Sequence, residues 1–362
     1  MGKTHIIAVA GKGGVGKTTT CGMMIDYLCK AGKGPLLVVD ADANSNLNEV
    51  LGVEVETTLG DIREEMARAE QKGTVPANMT KADYAEMKFG DALIEDDDFD
   101  GTDIDAVFHE GACSDTMEYD VNFMMRVNYE YSKALLHFCL QHRIPFLYAS
   151  SASTYGGGLH GFREGDASED ALNPYAFSKL AFDRYVRQVM PEARSQIVGL
   201  RYFNVYGPQE HHKGKMASIF YQLYNQINET GKAHLFRGYG TIAGKPVADG
   251  EQRRDFVYVK DVVNVNLWFW ENGAPSGIYN CGTGESHTYN EVARAVIAAM
   301  GKGEIAYRDF PEVLKGKYQN YTQADRTHLE EAGYDQGFHK MEDAVKEYVD
   351  FLDNGGYFTY GE

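Results

Sequence analysis

The stretch HIIAVAGKGGVGKTTTCG, residues 5–22, decides the fold class of this 362-residue chain. Its apolar run at 5–10 ends in glycines and predicts a buried strand. Apolar residues at helical spacing follow over 17–31, and the apolar run PLLVVD at 35–40 predicts a second strand. A strand, a helix and a second strand in this order predict the beginning of a parallel sheet with crossover helices.

The alternation of strands and helices continues beyond these elements. Further strands are predicted at 104–112, 145–151 and 196–208, and further helices at 120–143, 173–190 and 340–352. The turn-rich segment 238–252 predicts a mobile loop. We therefore predict an α/β fold, namely a Rossmann-like doubly wound parallel sheet with a smaller C-terminal α/β substrate domain.

The composition excludes some kinds of partner. A net charge of −18 argues against sequence-independent binding to nucleic acid and against a polybasic membrane contact. The odd number of cysteines, 5, includes no C-x-x-C pair and predicts reduced thiols. They are Cys21, Cys29, Cys113, Cys139 and Cys281. With neither a membrane-spanning apolar run nor a signal peptide recognised, we expect a cytoplasmic protein.

The glycine-rich segment GKGGVGKTT, residues 11–19, predicts a phosphate-binding loop. Its glycines are Gly11, Gly13, Gly14 and Gly16, whose backbone N–H groups can close around phosphate oxygens. Lys17 can reach the β- and γ-phosphates, and Thr18 can ligate Mg²⁺ if ATP binds. The loop therefore predicts a nucleotide site, with Mg-ATP as one candidate ligand.

The first 100 residues resemble the MinD/ParA class of P-loop ATPases. Lys12 completes the pattern K-G-G-x-x-K-T, and VVDADANSNLNEVLG at 38–52 is similar to the segment that follows in that class. The closest resemblance is to the nickel-insertion ATPases of carbon monoxide dehydrogenase maturation. It implies that Asp40 or Asp42 helps to position Mg²⁺, and it ends near residue 100 without the metal-binding cysteine pair of those proteins.

A second constellation of residues predicts different chemistry. In NPYAFSK, residues 173–179, Tyr175 and Lys179 lie one helical turn apart on one face. A nearby ammonium lowers the pKa of a phenol, which can then exchange a proton during hydride transfer. Ser151, at the end of a predicted strand, can hydrogen-bond the reacting hydroxyl. This Ser/Tyr/Lys set resembles the extended short-chain dehydrogenase/reductases.

Residues 102–362 resemble one family of those enzymes, the ADP-L-glycero-D-manno-heptose 6-epimerases. The motifs that carry the resemblance are FHEGACS (108–114), FLYASSASTYGG (146–157), RYFNVYGPQEHHKGKMAS (201–218), RRDFVYVKDVVNVNLWF (253–269), NCGTG (280–284) and LKGKYQNYTQAD (314–325). The resemblance implies epimerisation of ADP-heptose by transient oxidation at C6″ with bound NADP or NAD, in lipopolysaccharide inner-core precursor synthesis. It also implies a homo-oligomer.

The resemblance also implies roles for individual residues. Tyr175 and Lys213 would be acid/base groups on opposite faces of the sugar, Ser151 would orient the hydroxyl, and Lys179 would hold the nicotinamide ribose. The implied cofactor-binding residues are Glu110, Gly111, Ala112, Cys113, Ser114, Asn128, Lys179 and Val205. The implied substrate-binding residues are Asn204, Phe236, Arg237, Gly238, Arg254 and Tyr318. In this set Arg254 suits a pyrophosphate, because a guanidinium can hydrogen-bond two phosphate oxygens together.

The two resemblances give two interpretations of the first third of the chain. Gly11 and Gly14 match the first and third glycines of the epimerase loop, but Lys17 stands where that family has its last glycine. Asp40 fits a ribose 2′-OH, which favours NAD over NADP, and fits an Mg²⁺-linked carboxylate equally well. Because the two resemblances meet near residue 100, we predict that the chain is a chimera of the two families, joined between residues 98 and 104.

We predict three regions. Residues 1–101 form the ATPase-like half of the nucleotide-binding domain, and residues 102–205 form the rest of the Rossmann-like domain with the Ser/Tyr/Lys site. Residues 206–362 form a substrate-binding region with return elements to the main sheet. Three hypotheses follow: a heptose epimerase with an altered cofactor half, a MinD/ParA-type ATP-binding protein related to metallocentre maturation, and a non-catalytic module that binds ADP-sugar.

Overall fold

The computed structural model describes residues 105–208, 210–316 and 318–355, together with two strands of the first third of the chain. The strands are β1 (His5–Val9), β2 (Leu36–Asp40), β3 (Ala106–His109), β4 (Phe146–Ser151), β5 (Ile197–Tyr202), β6 (Asn204–Tyr206), β7 (Lys232–Phe236), β8 (Thr241–Ile242), β9 (Lys245–Pro246), β10 (Arg253–Arg254), β11 (Phe256–Tyr258), β12 (Gly277–Cys281), β13 (His287–Thr288) and β14 (Glu304–Arg308). The helices, numbered within the described residues, are α1 (Val121–Met124), α2 (Tyr131–His142), α3 (Pro174–Val189), α4 (Ile219–Thr230), α5 (Val259–Asn272), α6 (Tyr289–Met300), α7 (Thr327–Glu331) and α8 (Met341–Asp353).

The main sheet confirms the predicted doubly wound architecture. Within the described residues it has six strands in the order β12-β5-β4-β3-β1-β2, and every pair is parallel. β1 pairs with β3 through Ile7 opposite Ala106 and Ala8 opposite Val107. The strands on the two sides of the predicted junction at 98–104 therefore belong to one sheet.

The sheet is covered on both faces, as its apolar central strands require. On one face Phe146 of β4 and Ile197 of β5 pack against Leu136 of α2 and Phe182 of α3. On the other face Leu147 and Val198 pack with Phe108 of β3 and with residues of α5 that include Val265 and Phe269. Successive residues of a strand point to opposite faces, so the continuous apolar strands supply two cores.

The strand order places the nucleotide crevice of such a fold. The chain runs from β1 outwards to β2, then returns to β3 on the other side of β1. In open α/β sheets ligands bind at the carboxyl ends of the strands where the order reverses. Here that point lies between β1 and β3, so the segment after His109 borders it.

A smaller set of elements packs beside the sheet. β7 and β14 form a parallel pair, β6 pairs with β11, and α4, α6 and α8 share an apolar core. The segment 238–252, predicted as a mobile loop, contains the antiparallel hairpin β8–β9. The Tyr239 ring stacks on Phe310, with ring centroids 4.6 Å apart, and helps to anchor the hairpin.

Other predictions have mixed outcomes. The helix predicted at 120–143 is confirmed, with a π-helical segment at Met125–Glu130 between α1 and α2. Cys113, Cys139 and Cys281 are free thiols, as predicted. None of the described helices is long and apolar enough to cross a membrane. The glycine loop, the side chain of Asp40 and the helices predicted before residue 105 lie outside the described residues.

Candidate active site

Helix α3 carries two of the predicted site residues and begins at a well-formed cap. The Asn173 side chain accepts a hydrogen bond of 2.8 Å from the backbone N–H of Ala176, and Pro174 occupies the first helical position. Both features are typical helix-start signals, because they satisfy or remove N–H groups that lack intrahelical partners. Tyr175 therefore lies in the first turn of α3, with Lys179 one turn later.

Tyr175 meets Ser151, which ends strand β4. Burial raises the pKa of Tyr175, and the Ser151 hydroxyl lies near enough to the phenol to act in the opposite direction. The backbone N–H and hydroxyl of Ser153 also approach the Ser151 oxygen, at 3.2 and 2.9 Å. The structure thus brings the predicted Ser151 and Tyr175 together. The prediction that an ammonium lowers this pKa is wrong here, because burial dominates and the pKa is raised.

Lys179 lies one turn after Tyr175 on the same helix. Its side chain is buried, and its Nζ donates a hydrogen bond of 2.8 Å to the carbonyl oxygen of Ala149 in β4. Burial lowers the pKa of Lys179 to about 8, although the carboxylates of Asp183 and Glu110 act in the opposite direction. Its amine is therefore bonded to β4, the strand that also carries Ser151.

Glu110 follows β3 and is a buried carboxyl group at the same edge of the sheet. Its side chain accepts a hydrogen bond of 2.8 Å from the hydroxyl of Tyr202, which in turn accepts one of 2.8 Å from Asn266. Burial raises the pKa of Glu110 to about 7, against the opposing effects of Tyr202 and Lys179. The sequence predicted this residue only as part of a backbone lining. The raised pKa of its side chain depends on the surrounding tertiary structure, which the sequence did not show.

Asn128 fixes the loop that follows β3. Its side-chain oxygen accepts from the N–H of Cys113 at 2.8 Å, and its nitrogen donates to the carbonyl oxygen of Cys113 at 2.9 Å. The same nitrogen lies 3.0 Å from the Ser178 hydroxyl of α3. Asn128 therefore fastens the loop Glu110–Ser114 to the helix that carries Tyr175.

These surroundings suit a nicotinamide dinucleotide. The loop Glu110–Ser114 lies at the point where the strand order reverses, where parallel α/β sheets bind such cofactors. Lys179 is a buried amine on the helix that carries Tyr175, and Asn128 joins the loop to the same helix. The residues that would hold the cofactor thus fit it in chemistry and in position.

A second cluster gathers several predicted substrate residues. The Arg254 guanidinium lies 4.9 Å from the ring centroid of Tyr318, and Tyr318 makes an edge contact with Phe310 at 5.2 Å. Phe310 also contacts Phe236, with centroids 5.4 Å apart. Arg254 is 6% exposed, yet its Nη1 bonds only to the neighbouring carbonyl of Arg253 at 2.8 Å among described partners. The cluster therefore combines aromatic faces with a cation.

Arg237 and Gly238 lie at the base of the β8–β9 hairpin. Asp249 accepts from the N–H of Gly238 at 2.9 Å and pairs with Arg237 at 3.3 Å. Arg237 also pairs with Asp309 at 3.2 Å. The hairpin base is thus tied to the end of β7, next to the aromatic cluster of Phe236, Phe310 and Tyr318.

Three remaining site residues follow β5. Asn204 and Val205 lie in β6, where Asn204 pairs with Phe256 of β11 and exposes its side chain. Lys213 lies in the 3₁₀ turn His211–Met216, near the carboxylate of Glu210. Removal from water lowers the pKa of Lys213, and the nearby Glu210 opposes that change.

The fold and the Ser151–Tyr175–Lys179 cluster define an enzyme of the short-chain dehydrogenase/reductase type. Residues 39–282 match the NAD dependent epimerase/dehydratase family, and the chain belongs to that family. The matched range includes β3, β4 and α3, which carry the cluster.

Solved structures agree with this assignment. An ADP-L-glycero-D-manno-heptose-6-epimerase of Helicobacter pylori is 25% identical, with a TM-score of 0.68 and 97% of each chain covered. A UDP-glucose 4-epimerase of Thermotoga maritima, solved with UDP-glucose, is 21% identical, with a TM-score of 0.69 over 97% of this chain and 99% of that one. A UDP-glucose 4-epimerase of Thermus thermophilus, solved with NAD, is 23% identical, with a TM-score of 0.67 over 97% of this chain and 100% of that one. The last two likenesses show the fold alone.

Proposed function

We propose that this protein interconverts the two C6″ epimers of ADP-glycero-manno-heptose with a bound NADP or NAD. The observation that carries the enzyme class is the approach of Ser151, at the end of β4, to Tyr175 of α3, with Lys179 buried one turn further along the same helix. The choice of sugar depends on the motifs over 102–362, and the likeness to the Helicobacter pylori heptose epimerase supports it.

The side chains supply proton transfer and positioning. A nicotinamide cofactor, when bound, supplies reversible hydride transfer at C6″. Ser151 orients the reacting hydroxyl, and Tyr175 removes or returns its proton. Lys179 holds the nicotinamide ribose, and Lys213 exchanges the second proton from the opposite face of the sugar. The ADP part is held by Phe236, Arg237, Gly238, Arg254 and Tyr318, with Asn204 beside the sugar.

The direct test is to incubate the purified protein with either ADP-heptose epimer and to follow the sugar signals by NMR. We expect both epimers to reach the same mixture without added cofactor. The nucleotide released on denaturation is then identified by mass spectrometry, which distinguishes NAD from NADP. Protein that yields neither nucleotide, and leaves both epimers unchanged even with added NAD or NADP, would refute the proposal.

Tyr175→Phe should lower the epimerisation rate by about 10²–10⁴-fold, because it removes one of the two proton-transfer groups. Cofactor affinity, measured by titration of the purified variant, should change little, since the ring is retained. Tyr131→Phe is the matched control: Tyr131 is exposed and its ring contacts His109. Equal loss in the two variants would argue against a proton-transfer role for Tyr175.

The glycine loop supports a second proposal, that Mg-ATP binds at Gly11–Thr18 as in the MinD/ParA class. Calorimetry with Mg-ATP tests it, with Lys17→Ala as the variant that should lose binding. Heat of binding in the original protein that disappears in the variant supports the ATP site. No binding to either protein would refute it, and NAD or NADP released from the purified sample would favour a dinucleotide instead.

A further inference from the structure

Glu210 is a buried carboxylate at the start of the turn that carries Lys213. It is 2% exposed. One oxygen accepts from the Ser218 hydroxyl at 2.6 Å and from the Tyr348 hydroxyl at 2.8 Å. The other accepts from the backbone N–H of Ser218 at 2.6 Å. Three donors thus satisfy a carboxylate that would otherwise be costly to bury.

These bonds join three separate segments of the chain. Ser218 is the N-cap residue of α4, and Tyr348 lies in α8, near the C-terminal end of the described residues. The carbonyl oxygen of Glu210 accepts a hydrogen bond of 3.0 Å from the N–H of Lys213. The Lys213 turn is therefore held to α4 and α8 by the side chain of a residue three positions earlier.

We infer that Glu210 is the positioning residue for Lys213, holding its turn against α4 and α8 and providing the negative charge that keeps its amine a proton donor. This inference rests on the proposed epimerase function, in which Lys213 exchanges one of the two protons. It adds a residue to which the sequence assigned no function. The C-terminal helix thereby contributes to the site through Tyr348.

The charged groups around this pair come from few elements. Among the described side chains, Glu210 is the charge that acts on Lys213. On the far side of Glu210, Tyr348 of α8 lies near Tyr221 of α4 and Tyr258 of β11, which carry no charge as phenols. The side chains of His211, His212 and Lys215, in the same turn, lie outside the described residues.

Glu210→Gln tests the inference, because glutamine keeps the shape and removes the charge. Loss of the Glu210 charge should lower the pKa of Lys213, because a nearby carboxylate favours the ammonium form. Competitive acetylation, followed by mass spectrometry of the Lys213 peptide, measures that pKa without turnover. The limb of the pH–rate profile that depends on Lys213 should move to lower pH by the same amount, and kcat should fall more than KM changes.

Two tyrosine variants separate positioning from general packing. Tyr348→Phe removes one bond to Glu210 and keeps the charge, so kcat should fall several-fold without displacement of the pH profile. Tyr224→Phe is the matched control, because Tyr224 of α4 donates to Asp353 of α8 at 2.6 Å and does not touch Glu210. It should leave both kcat and the pH profile unchanged.

The outcomes are distinguishable. A folded Glu210→Gln variant with the original Lys213 pKa and kcat would overturn the inference while wild-type epimerisation still supports the proposed function. A wild-type protein without epimerase activity would refute the proposed function itself. If Glu210→Gln does not fold, equal kcat values for Tyr348→Phe and Tyr224→Phe would overturn the inference, and a loss confined to Tyr348→Phe would support it.

Discussion

At the scale of single residues, the site depends on two buried ionisable groups of opposite sign. Burial raises the pKa of Glu110 to about 7 and lowers the pKa of Lys179 to about 8. The Lys179 ammonium lowers the pKa of Glu110, and the Glu110 carboxylate raises the pKa of Lys179. For both groups desolvation is the larger effect and acts in the opposite direction. Both groups therefore change their protonation close to neutral pH, where an enzyme can use small changes in local charge.

Glu110→Gln should make the free energy of unfolding less dependent on pH. The folded protein binds the Glu110 proton more tightly than the unfolded chain, because the pKa is raised from 4.5 to about 7. Protonated Glu110 therefore stabilises the folded protein fully below pH 4.5, and this contribution is lost as the pH rises through about 7. Relative to wild type, the variant should gain up to about 3 kcal/mol between these pH values.

Urea unfolding at several pH values measures this difference. Glu331→Gln is the matched control, since Glu331 is exposed and should show no such trend. A stability difference between Glu110→Gln and wild type that stays constant from pH 5 to pH 8, roughly the range of the predicted change, would contradict the prediction.

At the scale of elements, local sequence explains α3 better than it explains the β8–β9 hairpin. Asn173 and Pro174 mark the start of α3, and the helix forms where the spacing predicts it. The hairpin turn contains Ala243 with φ of 49° and Gly244 with φ of 77°, and glycine adopts such values easily. A segment that contains glycine and proline resembles a loop. The pairing of β8 with β9, the stacking of Tyr239 on Phe310 and the bond from Gly238 to Asp249 hold it as a hairpin.

Gly238→Ala should displace the base of this hairpin. A Cβ atom added at Gly238 would lie 1.9 Å from the carbonyl oxygen of Val247, so the backbone must move. We expect a loss of about 1–3 kcal/mol in stability, and a larger rise in KM for ADP-heptose than fall in kcat. Thermal unfolding and steady-state kinetics measure the two effects.

Gly337→Ala provides the control for that substitution, because no atom lies within 4 Å of an added Cβ there. It should keep the stability and the KM of the original protein. If Gly238→Ala behaves in the same way, the hairpin base is not as tightly packed as the structure indicates.

At the scale of the whole molecule, Asp255 joins parts of the chain that are distant in sequence. Its carboxylate accepts from the backbone N–H groups of Thr283, Gly284 and Ala324 at 2.8 to 2.9 Å. Its own N–H donates to the Thr322 hydroxyl at 3.0 Å. Asp255 thereby connects the residue between β10 and β11 with the loop after β12 and with the irregular segment before α7.

Asp255→Asn should destabilise the protein by about 3 kcal/mol, because an amide nitrogen would face backbone donors that then lack an acceptor. Differential scanning calorimetry should show a lower Tm. Asp309→Asn is the control, since the Asp309 side chain is 97% exposed and its pair with Arg237 is at the surface. Similar Tm values for the two variants would contradict a central role for Asp255.

The sequence alone predicted the doubly wound sheet and the candidate site residues Ser151, Tyr175 and Lys179. Continuous apolar runs specify buried parallel strands, and the spacing of Tyr175 and Lys179 places both on one helical face. Resemblance over 102–362 indicated the epimerase class before any contact was known. The strands and the helical face could be predicted because each depends on residues that are close together in the chain.

Only the tertiary structure decided the directions in which the pKa values of Tyr175 and Glu110 move, and the bonds that Glu210 makes to α4 and α8. Desolvation depends on everything that packs around a group, so spacing within NPYAFSK could not reveal that burial outweighs the nearby ammonium. Glu210 and Tyr348 are 138 residues apart and meet because α8 shares one apolar core with α4 and α6. Short-range patterns specify elements, whereas burial and long-range hydrogen bonds, which set the chemistry, arise only when those elements assemble.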